Sequence, residues 1–148
     1  MTRTQAELSD RWELQDLVTR YATCIDSKDF AGLDQVFTPH AHVSFEASGG
    51  PAGDYPTIRA WLAETLPVFA ATQHLMGNVD VHLDHATGPD RATGRCMCFN
   101  PMALKPTSEK DQQVMFYGLW YDLKFERTAA GWRITRLTQE QAFHHNVP

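Results

Sequence analysis

From Met115 to Phe125 every odd position is apolar or aromatic: Met115, Tyr117, Leu119, Tyr121, Leu123 and Phe125. Alternation over this length, within a segment running from Gln113 to Glu126, specifies a strand, because successive strand side chains point to opposite faces. The even positions begin apolar as well, with Val114, Phe116 and Trp120, and turn polar at Asp122, Lys124 and Glu126. Long antiparallel strands normally show one polar face to water. One face therefore lines the helix-packed core or a pocket, and the other predicts contact with a second subunit, giving a homodimer or homotrimer.

The rest of the chain places helices early and strands late, the order of an α+β domain. Thr4 and Glu7 have the spacing of a capping box, and the apolar residues Trp12, Leu14, Leu17, Val18, Tyr21, Ala22, Cys24 and Ile25 follow at helical spacing, predicting an amphipathic helix that ends near Ser27. A second short helix is expected from Asp29 as cap, with Phe30, Leu33, Val36 and Phe37 on one side and Pro39 as its stop. Ala41 to Glu46 then reads as a strand, and Gly49 to Gly53 as a loop. Pro56 suits the first turn of a third helix that buries Ile58, Trp61, Leu62, Thr65 and Leu66. From Gln73 onward the period is two. Val79, Val81 and Leu83 form a half-buried strand before a turn at Ala86 to Asp90; Arg91 to Asn100 is another, and Trp132 to Thr138 follows the turn at Thr128 to Gly131.

Composition removes several function classes. The net charge is −5 over 148 residues and the basic residues are scattered singly, which argues against nucleic acid as a partner. No window is apolar enough for a bilayer and the N-terminus lacks the apolar stretch of a signal peptide, so no membrane partner and a cytoplasmic location are expected. Cys24, Cys96 and Cys98 are odd in number and form no Cys-x-x-Cys pair, which predicts reduced thiols packed as small hydrophobes; the period-two spacing of Cys96 and Cys98 puts both on one face. The histidine groupings, His40 with His42, His82 with His85 and His144 with His145, lack a carboxylate at zinc spacing, so no metal is expected. There is no dinucleotide or P-loop glycine pattern and no Gly-x-Ser-x-Gly elbow.

Two isolated residues carry chemistry in prospect. Asp26 stands at the end of the first helix and reads either as a surface carboxylate or as a group at the mouth of the core. His74 opens the stretch His74-Leu75-Met76, an edge-strand histidine or a functional one, and Gly77 beside it can mark a bulge that re-aims side chains.

The run Leu17 to Asp29 with Phe30 to Leu33 and Val36-Phe37-Thr38-Pro39, the segment Thr72-Gln73-His74-Leu75-Met76-Gly77-Asn78, and the closing Gly131-Trp132-Arg133-Ile134 hairpin together resemble the SnoaL-like, scytalone dehydratase-like branch of the NTF2-like superfamily. The resemblance spans residues 6 to 142 and implies one domain over residues 1–148: a cone of strongly curved antiparallel sheet and three helices around an apolar pocket. It also implies an Asp-His dyad, as in scytalone dehydratase, hexachlorocyclohexane dehydrochlorinase and bile-acid 7α-dehydratase, matching Asp26 and His74, with Tyr21 as a further participant. Tyr21 and Asp26 face one pocket only if the helix end tightens. The chain departs from scytalone dehydratase at Ile25 and Phe45, where that family has tyrosines, and it shows no second active-site histidine.

Candidates for the pocket lining are Phe45, Trp61 and Phe69 from the first half and Met97, Phe99, Tyr117 and Trp120 from the strands. Large and aromatic, they suggest a small hydrophobic substrate that contains a ring. The resulting expectation is a lyase without metal or organic cofactor, a dehydratase acting on a cyclic polyketide-, steroid- or aromatic-like substrate. An isomerase or cyclase uses the same base, and a non-catalytic small-molecule-binding module uses the same fold.

Overall fold

A computed structural model describes residues 2–84, 88–108 and 111–148. Helix α1 runs from Gln5 to Ser27, opened by the expected capping box: Glu7 N–H donates to the Thr4 hydroxyl (3.1 Å) and Thr4 N–H to the Glu7 carboxylate (2.9 Å). Its buried stripe is Leu14, Leu17, Val18, Tyr21, Ala22, Cys24 and Ile25. Trp12 was expected in that stripe but is 69% exposed, since it lies about 200° around the helix from Leu14. The second expected helix is a five-residue 3₁₀ turn, Ala31–Gln35, capped by Asp29 Oδ1 on Gly32 N–H (3.0 Å). Two α-helices are therefore present among the described residues rather than three; the seven residues between Asp29 and a strand starting at Phe37 hold only this 3₁₀ turn.

Strand β1, Phe37–Ser44, starts four residues earlier than its sequence pattern suggests. Pro39 is exposed within it, at a break in register between Phe37 and His42 where the missing N–H costs no ladder bond. A short β2, Ala52–Asp54, leads into α2, Tyr55–Thr65, with Asp54 as N-cap and Pro56 in its first turn as expected. Then come β3 (Phe69–Thr72), β4 (Leu75–Leu83), β5 (Arg91–Leu104), β6 (Val114–Thr128) and β7 (Gly131–His145). The sequence pattern located β4 to β7 but not β3, nor β2, whose Ala52 and Gly53 pair with Ser44 and Val43 inside the expected Gly49–Gly53 loop, and it ended β5 and β7 short. His85 and residues 86 and 87 of the expected turn lie outside the described residues.

The seven strands form one open, curved sheet in the order β2-β1-β7-β6-β5-β3, with β4 also paired to β5. It is mixed rather than purely antiparallel, because β1 runs parallel to β7. Strands β3 and β4 share the same edge of β5 in tandem, β3 against its C-terminal part and β4 against its N-terminal part. The chain between them is where the sheet edge breaks. A register shift between Gly77 and Asp80, with Asn78 left-handed at φ 48°, supplies the bulge anticipated beside Gly77. Helix α1 packs across β4 and β7, and α2 against β1. Leu14, Leu33, Val36, Val43, Phe125 and Leu137 are fully or almost fully buried between these layers. Each contributes about 1.5–3 kcal/mol by leaving water. The start of α1 is fastened to the β6–β7 hairpin by Asp10, which accepts both Arg127 guanidinium nitrogens (2.7 and 2.8 Å) and the Trp132 indole N–H (3.1 Å). No helix among the described residues is long and apolar enough to cross a membrane.

Candidate active site

The helix end and the broken sheet edge meet at Asp26. After Ser27 the chain turns left-handed at Lys28 (φ 57°), and the Lys28 ammonium donates to the Phe69 carbonyl (2.8 Å), tying α1 to β3. A carboxylate at a helix C-terminus faces the negative end of the helix dipole. Here three donors offset that cost. Asp26 Oδ1 accepts the Thr72 hydroxyl (2.9 Å) and His74 Nδ1 (2.6 Å), and Oδ2 accepts the His74 backbone N–H (2.8 Å).

Burial pushes the Asp26 carboxyl up, but the hydrogen bonds from the His74 ring and backbone, the attraction of that ring and the Thr72 hydroxyl outweigh it, holding the group below the ordinary carboxylate range. An ionised carboxylate only accepts, so Nδ1 of His74 must carry the hydrogen, and in the neutral form of the ring Nε2 then presents a lone pair. The His74 side chain is 6% exposed against 25% for Asp26. His74 lines a cavity of about 210 Å³ between the helices and the inner sheet face; Asp26 stands behind it and is not part of the wall.

Tyr21 also lines the cavity, its ring edge-on to His74 with centroids 6.3 Å apart and planes at 89°. A chain of donors runs toward it. The Ser48 hydroxyl donates to Gln139 Oε1 (2.5 Å) and Gln139 Nε2 donates to the Tyr121 hydroxyl (3.2 Å), while the Tyr121 ring lies edge-on to Tyr21 with centroids 5.8 Å apart. Burial drives the Tyr21 hydroxyl well above the ordinary tyrosine value, so it is a neutral donor and not a base.

Four of the seven expected lining residues meet at the cavity: Phe45, Trp61, Phe69 and Tyr117. Phe45 and Trp61 pack with ring centroids 6.0 Å apart, and Gly50 is required beside them because a Cβ there would come within 2.9 Å of both side chains. Met97, Phe99 and Trp120 lie on the opposite face. Met97 and Phe99 are 41% and 40% exposed, while Cys96, Cys98 and Asn100 between and beside them are buried, as period two demands. Trp120 pairs with Met97 across the strands and carries the Arg95 guanidinium over its ring at 4.5 Å. In their place the inner face supplies Asn100, Met102, Met115 and Tyr121, none of them among the expected lining residues. The signal for them was in the sequence, since Asn100 and Met102 continue the face of Cys96 and Cys98. Among the described residues no three His, Cys, Asp or Glu side chains converge so as to hold a metal ion.

Comparison with known proteins agrees with this architecture. A SnoaL-like domain family model matches residues 6–138. The uncharacterized protein Rv2910c of Mycobacterium tuberculosis is 44% identical over 138 residues, covering 93% of this chain and 89% of the relative. Among solved structures, the Kfla4162 protein of Kribbella flavida superposes with a TM-score of 0.83 at 26% identity, over 93% of this chain and 94% of that one. Hexachlorocyclohexane dehydrochlorinase LinA-type3 of Novosphingobium barchaimii shares the fold with a TM-score of 0.76 at 16% identity, over 95% and 91% of the two chains. With a family model matched over most of its length, a relative 44% identical over 138 residues and an open, curved mixed sheet like that of its structural neighbours, the chain belongs to the SnoaL-like domain family.

Proposed function

We propose that the protein is a cofactor-independent lyase, a dehydratase that removes water from a cyclic hydrophobic substrate by proton abstraction at His74. The observation that carries this reading is the 2.6 Å contact from His74 Nδ1 to a carboxylate that also holds the His74 backbone. It fixes the ring tautomer and orientation and leaves Nε2 as a base on the cavity wall. In the reaction Nε2 takes a C–H proton next to an activating carbonyl, Asp26 stabilises the imidazolium, and Tyr21 O–H donates to the oxygen that gains negative charge. The C–O bond then breaks, and the leaving hydroxide departs as water with the proton from His74. A pure binding module gains nothing from an ionised acid beneath a histidine, a pair whose desolvation is costly. The dehydrochlorinase of similar fold is named for an elimination, which is the same reaction type.

The cavity is larger than the ~150 Å³ site that accepts benzene in an engineered protein. It suits one substituted ring or two fused rings. The test is a set of cyclic β-hydroxy ketones of that size in D2O, followed by enone absorbance and by deuterium uptake at carbon. Both signals are expected with the native protein, to be abolished in His74→Ala and reduced about 10–1,000-fold in Tyr21→Phe. Turnover or exchange that persists in His74→Ala overturns the assignment.

The outer sheet face supports a homo-oligomer. Leu75, Phe99, Gly118 and Phe143 are in register across β4 to β7, and Leu75 and Phe143 are 66% and 54% exposed. The Phe143 ring lies over Gly118, where a Cβ would come within 2.2 Å of it. Met97 and the stacked pair Phe99 and Phe116 extend the apolar row, which a second copy of the chain would cover.

A further inference from the structure

Asn100 is a polar residue of the cavity wall that the dyad does not use. The β4–β5 ladder pairs Leu75 with Phe99 and Met76 with Cys98, and Gln73 N–H donates to the Pro101 carbonyl (3.0 Å), so His74 lies directly opposite Asn100. On the other side Asn100 pairs with Tyr117. His74, Asn100 and Tyr117 thus form one cross-strand row, and all three line the cavity. Side chains opposed in this way on one face are near neighbours, with Cβ atoms ~5 Å apart.

Asn100 is 5% exposed, and its Oδ1 has no hydrogen-bond partner among the described residues. Buried side-chain amides are almost always bonded, because an unmet polar group forfeits its hydration. A leucine of nearly equal shape would fill the position without that cost, and the surrounding wall is otherwise rich in such residues: Ile25, Leu62, Leu66 and Met102. A polar group held unbonded on the wall of an apolar chamber is matched to something that enters the chamber.

We infer that Asn100 is the polar anchor of the pocket and that its carboxamide binds an oxygen substituent on the ring of the ligand, a hydroxyl or a carbonyl, one strand away from His74. The part that sets this oxygen close to the reacting carbon rests on the lyase reading; the binding part does not. The substrate class narrows accordingly to oxygenated rings. A plain hydrocarbon or halocarbon of the same shape would seal the amide away from water with nothing to bond, and sites built around a polar group reject analogues that lack its partner.

The experiment is calorimetric titration of 2-naphthol and 2-methylnaphthalene, which differ in one substituent, into the native protein, Asn100→Leu and Asn100→Ser. The quantity read is the ratio of the two dissociation constants. In Asn100→Leu the ratio is expected to move at least 10-fold toward 2-methylnaphthalene, with Asn100→Ser in between, and a ratio unchanged in Asn100→Leu overturns the inference. A folding defect in both variants leaves a direct readout on the native protein. The Asn100 side-chain amide resonance in 15N-labelled protein should shift with 2-naphthol and not with 2-methylnaphthalene, and equal or absent shifts overturn the inference as well. Deuterium exchange by the native protein separates the two readings: a 2-naphthol preference that is lost in Asn100→Leu, in a protein whose native form shows no exchange, refutes the base and keeps the anchor, whereas exchange by the native protein with no such loss in Asn100→Leu refutes the anchor alone.

Discussion

Replacing Asp26 by Asn tests the dyad without emptying the site. Asp26 accepts three hydrogen bonds, from Thr72, the His74 backbone and His74 Nδ1. An amide cannot accept all three. If its oxygen keeps the ring and Thr72, its NH2 faces the His74 backbone N–H, donor against donor. If it turns over, the oxygen takes the backbone N–H while the NH2 donates to Thr72 and to Nδ1, so every group is satisfied. The second arrangement is favoured, and it requires Nδ1 as acceptor, which places the ring hydrogen on Nε2, where the base should be. Exchanging three charge-assisted bonds for neutral ones loses roughly 1 kcal/mol each, offset in part because an amide is cheaper to bury. The variant should therefore lose only about 1–3 kcal/mol, a fall of about 2–10 °C in Tm for a chain of this size. Asp26→Ala, which strands all three donors, should lose about 3–5 kcal/mol. Turnover in Asp26→Asn should drop by about 10³–10⁴-fold, the scale seen when a histidine base is held in the wrong tautomer. Long-range 1H–15N correlation of labelled histidine reads the tautomer without any substrate. An Nδ1–H ring in Asp26→Asn, or activity within tenfold of native, would refute the reasoning.

Other consequences can be measured separately. Because the folded-state carboxyl of Asp26 lies below its unfolded value of about 3.9, the stability it contributes is fully present above about pH 5 and is lost as pH falls through the folded value. The stability gap between native protein and Asp26→Asn, followed by urea unfolding, should narrow from pH 5 to pH 3; a gap that widens toward acid contradicts the assignment. Burial pushes the Cys96 and Cys98 thiols up to about 12 and raises Cys24 as well, so a disulfide reagent at pH 8 should label all three slowly in native protein and rapidly in urea. Rapid labelling of native protein would show the inner face to be open. Light scattering at micromolar concentration should report a dimer or trimer, with Phe99→Glu combined with Phe143→Glu giving a folded monomer. A native monomer would leave the exposed row on β4 to β7 without its proposed cover.

How far the sequence reached depended on which physical signal each residue carries. Local signals were legible: the Thr4–Glu7 box, the end of α1 at Ser27, Pro56 in the first turn of α2 and the alternation in β6 are written in neighbouring residues. The parallel pairing of β1 with β7 was not, because it joins segments about ninety positions apart and leaves no local mark. Nor was β3, four residues too short to show a period. Asp26 and His74 became a candidate pair through resemblance, since neither the helix end nor the sheet edge alone indicates that the two will meet. The pocket list failed for a different reason. Tyr117 and Trp120 have opposite parity on one strand and cannot line the same cavity, and Met97 and Phe99 have the parity opposite to the buried thiols of Cys96 and Cys98. Selecting by ring size mixed two faces that period two keeps apart. Applied strictly, parity moves Met97, Phe99 and Trp120 to the outer face and brings Asn100 inside. The same rule therefore separates a candidate subunit interface from a candidate active site on adjacent residues, and it puts Asn100, whose amide oxygen has no hydrogen-bond partner among the described residues, on the cavity face with His74.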